Sequence, residues 1–120
     1  MLLNDLYFLQ SVSDTGETVT FDLRVKEDHP LYKGHFPGRP VTPGVVLAEM
    51  VKELLENHLG KSLEMVRMRQ CKFLSAHDPG QYPQVGISVS WTPGDEYTVQ
   101  ASGSFQSEVF FRLSACYREA

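Results

Sequence analysis

At 120 residues, 42% hydrophobic and 22% charged, the chain has the composition of one ordinary globular domain, 1–120, and not of a disordered tail. A formal charge of −4 with scattered Lys and Arg excludes the basic stripe of a sequence-independent nucleic-acid binder. Two cysteines, Cys71 and Cys116, make neither a disulfide framework nor a metal-spaced pair.

The N-terminal MLLNDLYFLQ is short and broken by Asn4 and Asp5, so no signal peptide is expected, and no apolar run reaches the length of a membrane helix. A soluble protein of a reducing cytoplasm is the expectation. Residues 6–12 read as a first strand, and Asp14-Thr15-Gly16 as a turn. Val19, Phe21, Leu23 and Val25 alternate with Thr20, Asp22 and Arg24, the pattern of a strand with one buried face.

From His29 to Met50 the chain changes character. Pro30, Pro37, Pro40 and Pro43 fix φ and deny that stretch a helix or a central strand. Gly34, Gly38 and Gly44 allow close backbone approach. A loop so constrained presents His35 just before a helix predicted from Gly44 to about Leu59, with Gly60 as its left-handed stop. Val45, Val46, Leu47, Ala48, Met50 and Val51 make the first half of this helix apolar nearly all round, which predicts burial there. Lys52, Glu53, Glu56 and Asn57 carry its second half toward solvent.

The remainder reads as sheet. Residues 63–74 form a long strand closed by the Asp78-Pro79-Gly80 turn. Residues 85–91, 97–105 and 109–117 alternate apolar and polar positions, with the turn Thr92-Pro93-Gly94-Asp95 between the first two. Short connections favour antiparallel pairing. The outline is an α+β domain with a sheet of about six strands wrapped on one long helix.

Two residues carry acid–base potential. Histidine titrates near neutral pH, and a buried carboxylate can be moved toward that range, so His35 and Glu49 form a competent pair. Each has a bland alternative: His35 as a hydrogen-bonded loop residue, Glu49 as an edge carboxylate paired with Lys52. The first N–H groups of the helix, at Gly44, have no acceptor inside it and sit at the positive end of its dipole. A base, an acid and such donors suit chemistry beside a thioester, where enolate charge develops on the carbonyl oxygen.

Gly34-His35-Phe36-Pro37-Gly38-Arg39-Pro40, followed by Pro43-Gly44-Val45-Val46-Leu47-Ala48-Glu49-Met50, resembles the signature of the β-hydroxyacyl-acyl carrier protein dehydratases of fatty-acid synthesis. In that motif the histidine and carboxylate stand fourteen positions apart, as His35 and Glu49 do here. Lys72-Phe73 and Pro79-Gly80 extend the similarity. The resemblance implies a hot-dog fold, a curved antiparallel sheet around a central helix. It implies that His35 takes the C2 proton of a (3R)-hydroxyacyl thioester and that Glu49 binds or protonates the departing hydroxyl. It also implies substrate contacts from Gly44, Gly38, Phe36 and Val45, an apolar tunnel for the acyl chain, and neither metal nor organic cofactor.

The partners it implies are an acyl carrier protein and a second copy of the chain, in a homodimer with shared sites or a higher oligomer. Neither nucleic acid nor membrane insertion is expected. Glu53 stands where the family often has Gln, and Ser75-Ala76-His77-Asp78 replaces a more apolar, Pro-containing run. These departures point to a specialised relative in polyene or other secondary acyl synthesis. A hot-dog thioesterase and a non-catalytic acyl-binding or assembly subunit are the alternatives. Among lesser features, His29 is read as a loop cap, His58 as a partner of the helix dipole and His77 as a turn residue that could flank a tunnel mouth. Trp91 and Phe105 are read as packing residues, and Cys71 and Cys116 as small buried hydrophobes.

Overall fold

The computed structural model describes residues 1–33 and 40–120. Its strands are β1 (Tyr7–Asp14), β2 (Val19–Val25), β3 (Leu63–Phe73), β4 (Gln84–Thr92), β5 (Tyr97–Phe105) and β6 (Glu108–Glu119). They form one antiparallel sheet in the order β1-β2-β4-β5-β6-β3. The α-helix α1 (Gly44–Leu59) lies between β2 and β3 in the chain, and the sheet curls around it. This is the hot-dog arrangement.

Alternation decides the register. Val19, Phe21, Leu23 and Val25 of β2 are buried, as are Val85, Ile87 and Val89 of β4, and Phe21 stands opposite Ile87. A one-residue slip would turn each of these side chains to solvent, so the pairing has one solution. From α1, Leu47, Met50, Val51, Leu54 and Leu55 fill the concave side of the sheet. Truncating any one of them to alanine would cost about 2–5 kcal/mol.

The ends of α1 follow from their residues. Pro43, extended at φ −61°, is the N-cap and offers no side-chain acceptor. Gly60 takes φ +68°, and its N–H closes on the Glu56 carbonyl. A left-handed residue at this place is cheap only for glycine.

Three expectations are corrected. The Pro/Gly stretch does hold a short helix: Pro30–Tyr32 forms a 3-10 turn with proline in its first position, where the missing N–H costs nothing. The first half of α1 is not buried all round, because Val45 is 78% exposed and Glu49 is exposed as well. The sheet covers only one side of the helix, and within the single chain nothing among the described residues closes over the other. The second half does not simply turn to solvent either, since Glu53 is only 3% exposed.

Candidate active site

Val45, Ala48, Glu49 and Lys52 recur at helical spacing and line the uncovered face of α1. Opposite them run Glu64, Met65, Met68, Cys71 and Phe73 of β3. Between these two walls lies an apolar groove of about 560 Å3, with Gly44 at one end. A second groove of about 550 Å3 continues past the helix start, lined by Val41, Thr42, Pro43, Leu47 and residues Leu74 to His77. Gly44 and Phe73 border both.

Glycine at 44 is a matter of space. A Cβ there would stand 2.2 Å from Cζ of Phe73, so the ring packs directly over the first turn of the helix. Phe73 is itself 57% exposed. It therefore stands as a partition between the two grooves, not as a core residue.

The two helix acids have separate surroundings. The Glu49 carboxylate opens on the groove, its side chain 46% exposed, with the Lys52 ammonium 3.9 Å away. An exposed ion pair at i,i+3 contributes only about 0.2–0.5 kcal/mol. Glu53, one turn on, is buried against the N-terminal segment. It accepts hydrogen bonds from the Leu2 N–H at 2.9 and 3.0 Å, from the Leu3 N–H at 2.8 Å and from the Tyr7 hydroxyl at 3.1 Å. Burial, with the Glu53 charge beside it, raises the Tyr7 phenol well above its ordinary range, so it remains a donor. Glu53 thus fastens the N-terminal segment to the helix and does not face Glu49's groove.

Gly44, Val45 and Glu49 of the expected set meet in one place. His35, Phe36 and Gly38 lie outside the described residues. The chain on either side of them is held: Tyr32 Oη and Thr42 Oγ1 are 2.8 Å apart, and Thr42 Oγ1 is 2.7 Å from His77 Nδ1. His77, read from sequence as a turn residue, is only 2% exposed. The other histidines are occupied elsewhere. His29 caps the 3-10 turn by accepting from the Leu31 N–H at 3.0 Å, and its Nε2 meets Asp5 at 3.1 Å. His58 stands 3.6 Å from Asp14 and edge-on to Phe21 and Trp91.

One further residue lines the groove and another stands on the strand paired with its β3 wall, neither with a sequence signal that separates it from core. Cys71 is half-buried in the groove wall, where desolvation raises the thiol and keeps it protonated. Tyr117 of β6 pairs across from Met65 and is fully buried. Desolvation, with the nearby negative charge of Glu49, pushes its phenol up to about 12. It is a neutral hydrogen-bond donor at any ordinary pH, and its hydroxyl has no partner among the described residues.

A family model described as ApeI-like, ApeI dehydratase, matches residues 11–113. The chain belongs to this family of dehydratases. The resemblance carried by the loop and helix motif therefore stands. The 3-hydroxyacyl-acyl-carrier-protein dehydratase FabZ of Rickettsia bellii is 30% identical over 102 residues, 85% of this chain. The chain spans 66% of the length of that relative. Two solved structures share the fold. The dehydratase heterocomplex ApeI:P from Xenorhabdus doucetiae superimposes with a TM-score of 0.73 at 14% identity, over 93% of this chain and 97% of that one. The (R)-hydratase from A. caviae gives 0.67 at 15% identity, over 92% and 98%. No helix among the described residues is long and apolar enough to cross a membrane.

Proposed function

We propose that this chain dehydrates (3R)-hydroxyacyl thioesters carried on an acyl carrier protein, reversibly and in the cytoplasm, to trans-2-enoyl thioesters. The observation that carries the reading is that the Glu49 carboxylate and the open N-terminus of α1 at Gly44 border one apolar groove large enough for an acyl chain. The imidazole of His35 takes the C2 proton, and the C2–H electrons form the C2–C3 double bond. The C3–O bond breaks as Glu49 delivers a proton to the leaving hydroxyl, which departs as water. Negative charge that builds on the thioester oxygen meets the Gly44 N–H and the helix dipole. Gly38 and Phe36 shape the loop side of the site, and Val45 meets the acyl chain.

The proposed assembly is a homodimer. β3 is an edge strand with Met65, Val66, Met68 and Phe73 at the surface, and the exposed Val45 stands across the groove from it. An edge of this length carrying apolar side chains is a strong template for pairing. In the homodimer the histidine of one protomer works with the carboxylate of the other, following the family resemblance. One structural relative is a dehydratase heterocomplex, so a hot-dog partner of different sequence is the alternative occupant of this edge. Light scattering of the purified chain separates the two by giving a dimer or a monomer.

The enzymatic test follows enoyl absorbance and free thiol together, during incubation with 3-hydroxyacyl-carrier thioesters of several lengths. Enoyl product supports the dehydratase. Release of free thiol instead makes the protein a thioesterase, and absence of both products makes it an acyl-binding or assembly subunit.

A further inference from the structure

His77 is more deeply buried than any other histidine of the described residues. Its ring is held from three sides. Nε2 lies 2.8 Å from the Tyr82 carbonyl, Nδ1 lies 2.7 Å from Thr42 Oγ1, and the ring stands edge-on to Phe110 at 4.9 Å between centroids. Thr42 is gripped twice by the same residue, because its backbone N–H also donates to the His77 carbonyl at 2.9 Å. Beyond it comes Tyr32 Oη, 2.8 Å from Thr42 Oγ1, on a side chain that is itself buried.

Every proton in this chain has one place to be. The Tyr82 carbonyl only accepts, so Nε2 carries a hydrogen. Burial disfavours the imidazolium, so Nδ1 is a lone pair that must receive the Thr42 hydroxyl proton. Thr42 Oγ1 in turn receives the Tyr32 phenol proton. All donors are used and none is left over, the condition under which a buried polar network rigidifies its surroundings.

The position of this network matters more than its strength. Tyr32 ends the 3-10 turn before segment 34–39, and Thr42 immediately precedes the N-cap of α1. Both sides of the stretch that contains His35 are therefore tied to one rigid imidazole, which also lines the groove beyond Gly44. We propose that Tyr32, Thr42 and His77 form a positioning relay that fixes the chain entering α1, and through it the approach of the Gly44 N–H to the substrate. The inference rests on the dehydratase reading of the site. None of the three touches the reacting atoms; they act through the backbone on either side.

The relay has a direction, and a second proton on His77 reverses it. Nδ1 would then donate to Thr42 Oγ1, Thr42 would turn its hydrogen to Tyr32, and the phenol hydrogen would be left buried without an acceptor. The groups facing His77 are Phe110 from β6, Thr42 from the segment before α1, and Asp78 and Tyr82 from its own turn. Of these only Asp78 is charged near neutrality, and its carboxylate accepts the Gly80 N–H at 2.9 Å. That charge favours the imidazolium but is outweighed by burial.

Four variants and one spectrum test the relay. Thr42→Val preserves shape and removes the central hydroxyl, and Tyr32→Phe removes only the terminal donor. For both, kcat should fall about 10- to 100-fold with KM nearly unchanged, the pattern of a displaced rather than a missing group. His77→Leu should behave like Thr42→Val. His77→Asn, whose amide oxygen replaces the Nδ1 lone pair, should recover most of the kcat that His77→Leu loses. If Thr42→Val and Tyr32→Phe both kept kcat within about twofold, the relay would be overturned. A 15N spectrum of His77 gives an answer that does not depend on turnover. A neutral Nε2–H tautomer persisting well below pH 6.5 supports the relay, and an Nδ1–H tautomer or an ordinary titration overturns it. Wild-type protein that makes no enoyl product overturns the dehydratase reading instead.

Discussion

Glu49 and Glu53 stand one helical turn apart, and replacing each gives opposite signatures. Glu53→Ala removes a buried carboxylate that holds the Leu2 and Leu3 N–H groups and the Tyr7 hydroxyl. Hydrogen bonds to a charged acceptor are worth about 1.5–3 kcal/mol each, and they do not add when their donors share one acceptor. The Leu2 and Leu3 N–H groups recover water if the segment frays, which offsets part of the loss. A net cost of about 3–5 kcal/mol remains, because the charge-assisted bonds are lost and the Tyr7 hydroxyl is left buried without its acceptor. At roughly 4 °C per kcal/mol for a chain of this size, the melting temperature should fall by about 12–20 °C.

Glu49→Gln removes only the long contact to Lys52, about 0.2–0.5 kcal/mol, and should move melting by no more than about 2 °C. Its enoyl-forming activity should fall by about 10²–10⁴-fold, because the amide fills the same space but delivers no proton. The assay is a thermal melt and a dehydration rate on each purified variant. Glu53→Ala melting with the wild type would refute the anchoring role. Glu49→Gln turning over within a few-fold of wild type at every pH would make Glu49 structural and leave the reaction without its acid.

Other outcomes follow from the same geometry. Gly44→Ala places a methyl group where the Phe73 ring now sits, so the exposed ring should swing aside. Melting should hold or rise slightly, since alanine is the better helix former, while KM for long acyl chains rises about 10-fold; an unchanged KM would mean that the ring borders no substrate path. Because burial lowers the folded pKa of His77, its contribution to stability is fully present above the free value of 6.5. It is lost as pH falls through the folded value. Wild type should therefore lose more melting temperature than His77→Asn between about pH 7.5 and 5, and parallel curves would contradict this. Mixing His35→Ala chains with Glu49→Ala chains should restore part of the activity, because one hybrid site of the dimer regains both groups. Activity that stays absent after verified subunit exchange counts against a site shared between protomers.

The strands and the helix were legible in the sequence because alternation and helical spacing report which side chains leave water, and the fold needs little more. Val19 to Val25 and Gly44 to Leu59 occur at their expected bounds. Glycine at 60 and the turn at Asp78-Pro79-Gly80 act through φ and local hydrogen bonds, which depend on neighbours in the chain alone. The family signature, too, is a property of residue order. What periodicity could not separate were residues of similar polarity with different surroundings. Glu49 and Glu53 look alike in sequence, yet one borders a groove and the other receives the N-terminal segment some fifty positions away. His77 read as a turn residue, because nothing local reveals that Thr42 and Tyr32 will arrive beside it. The burial expected for Val45 and Glu49 failed for a related reason: an apolar helix face announces that something covers it, and whether the cover is the chain's own sheet is decided only when the sheet closes on one side.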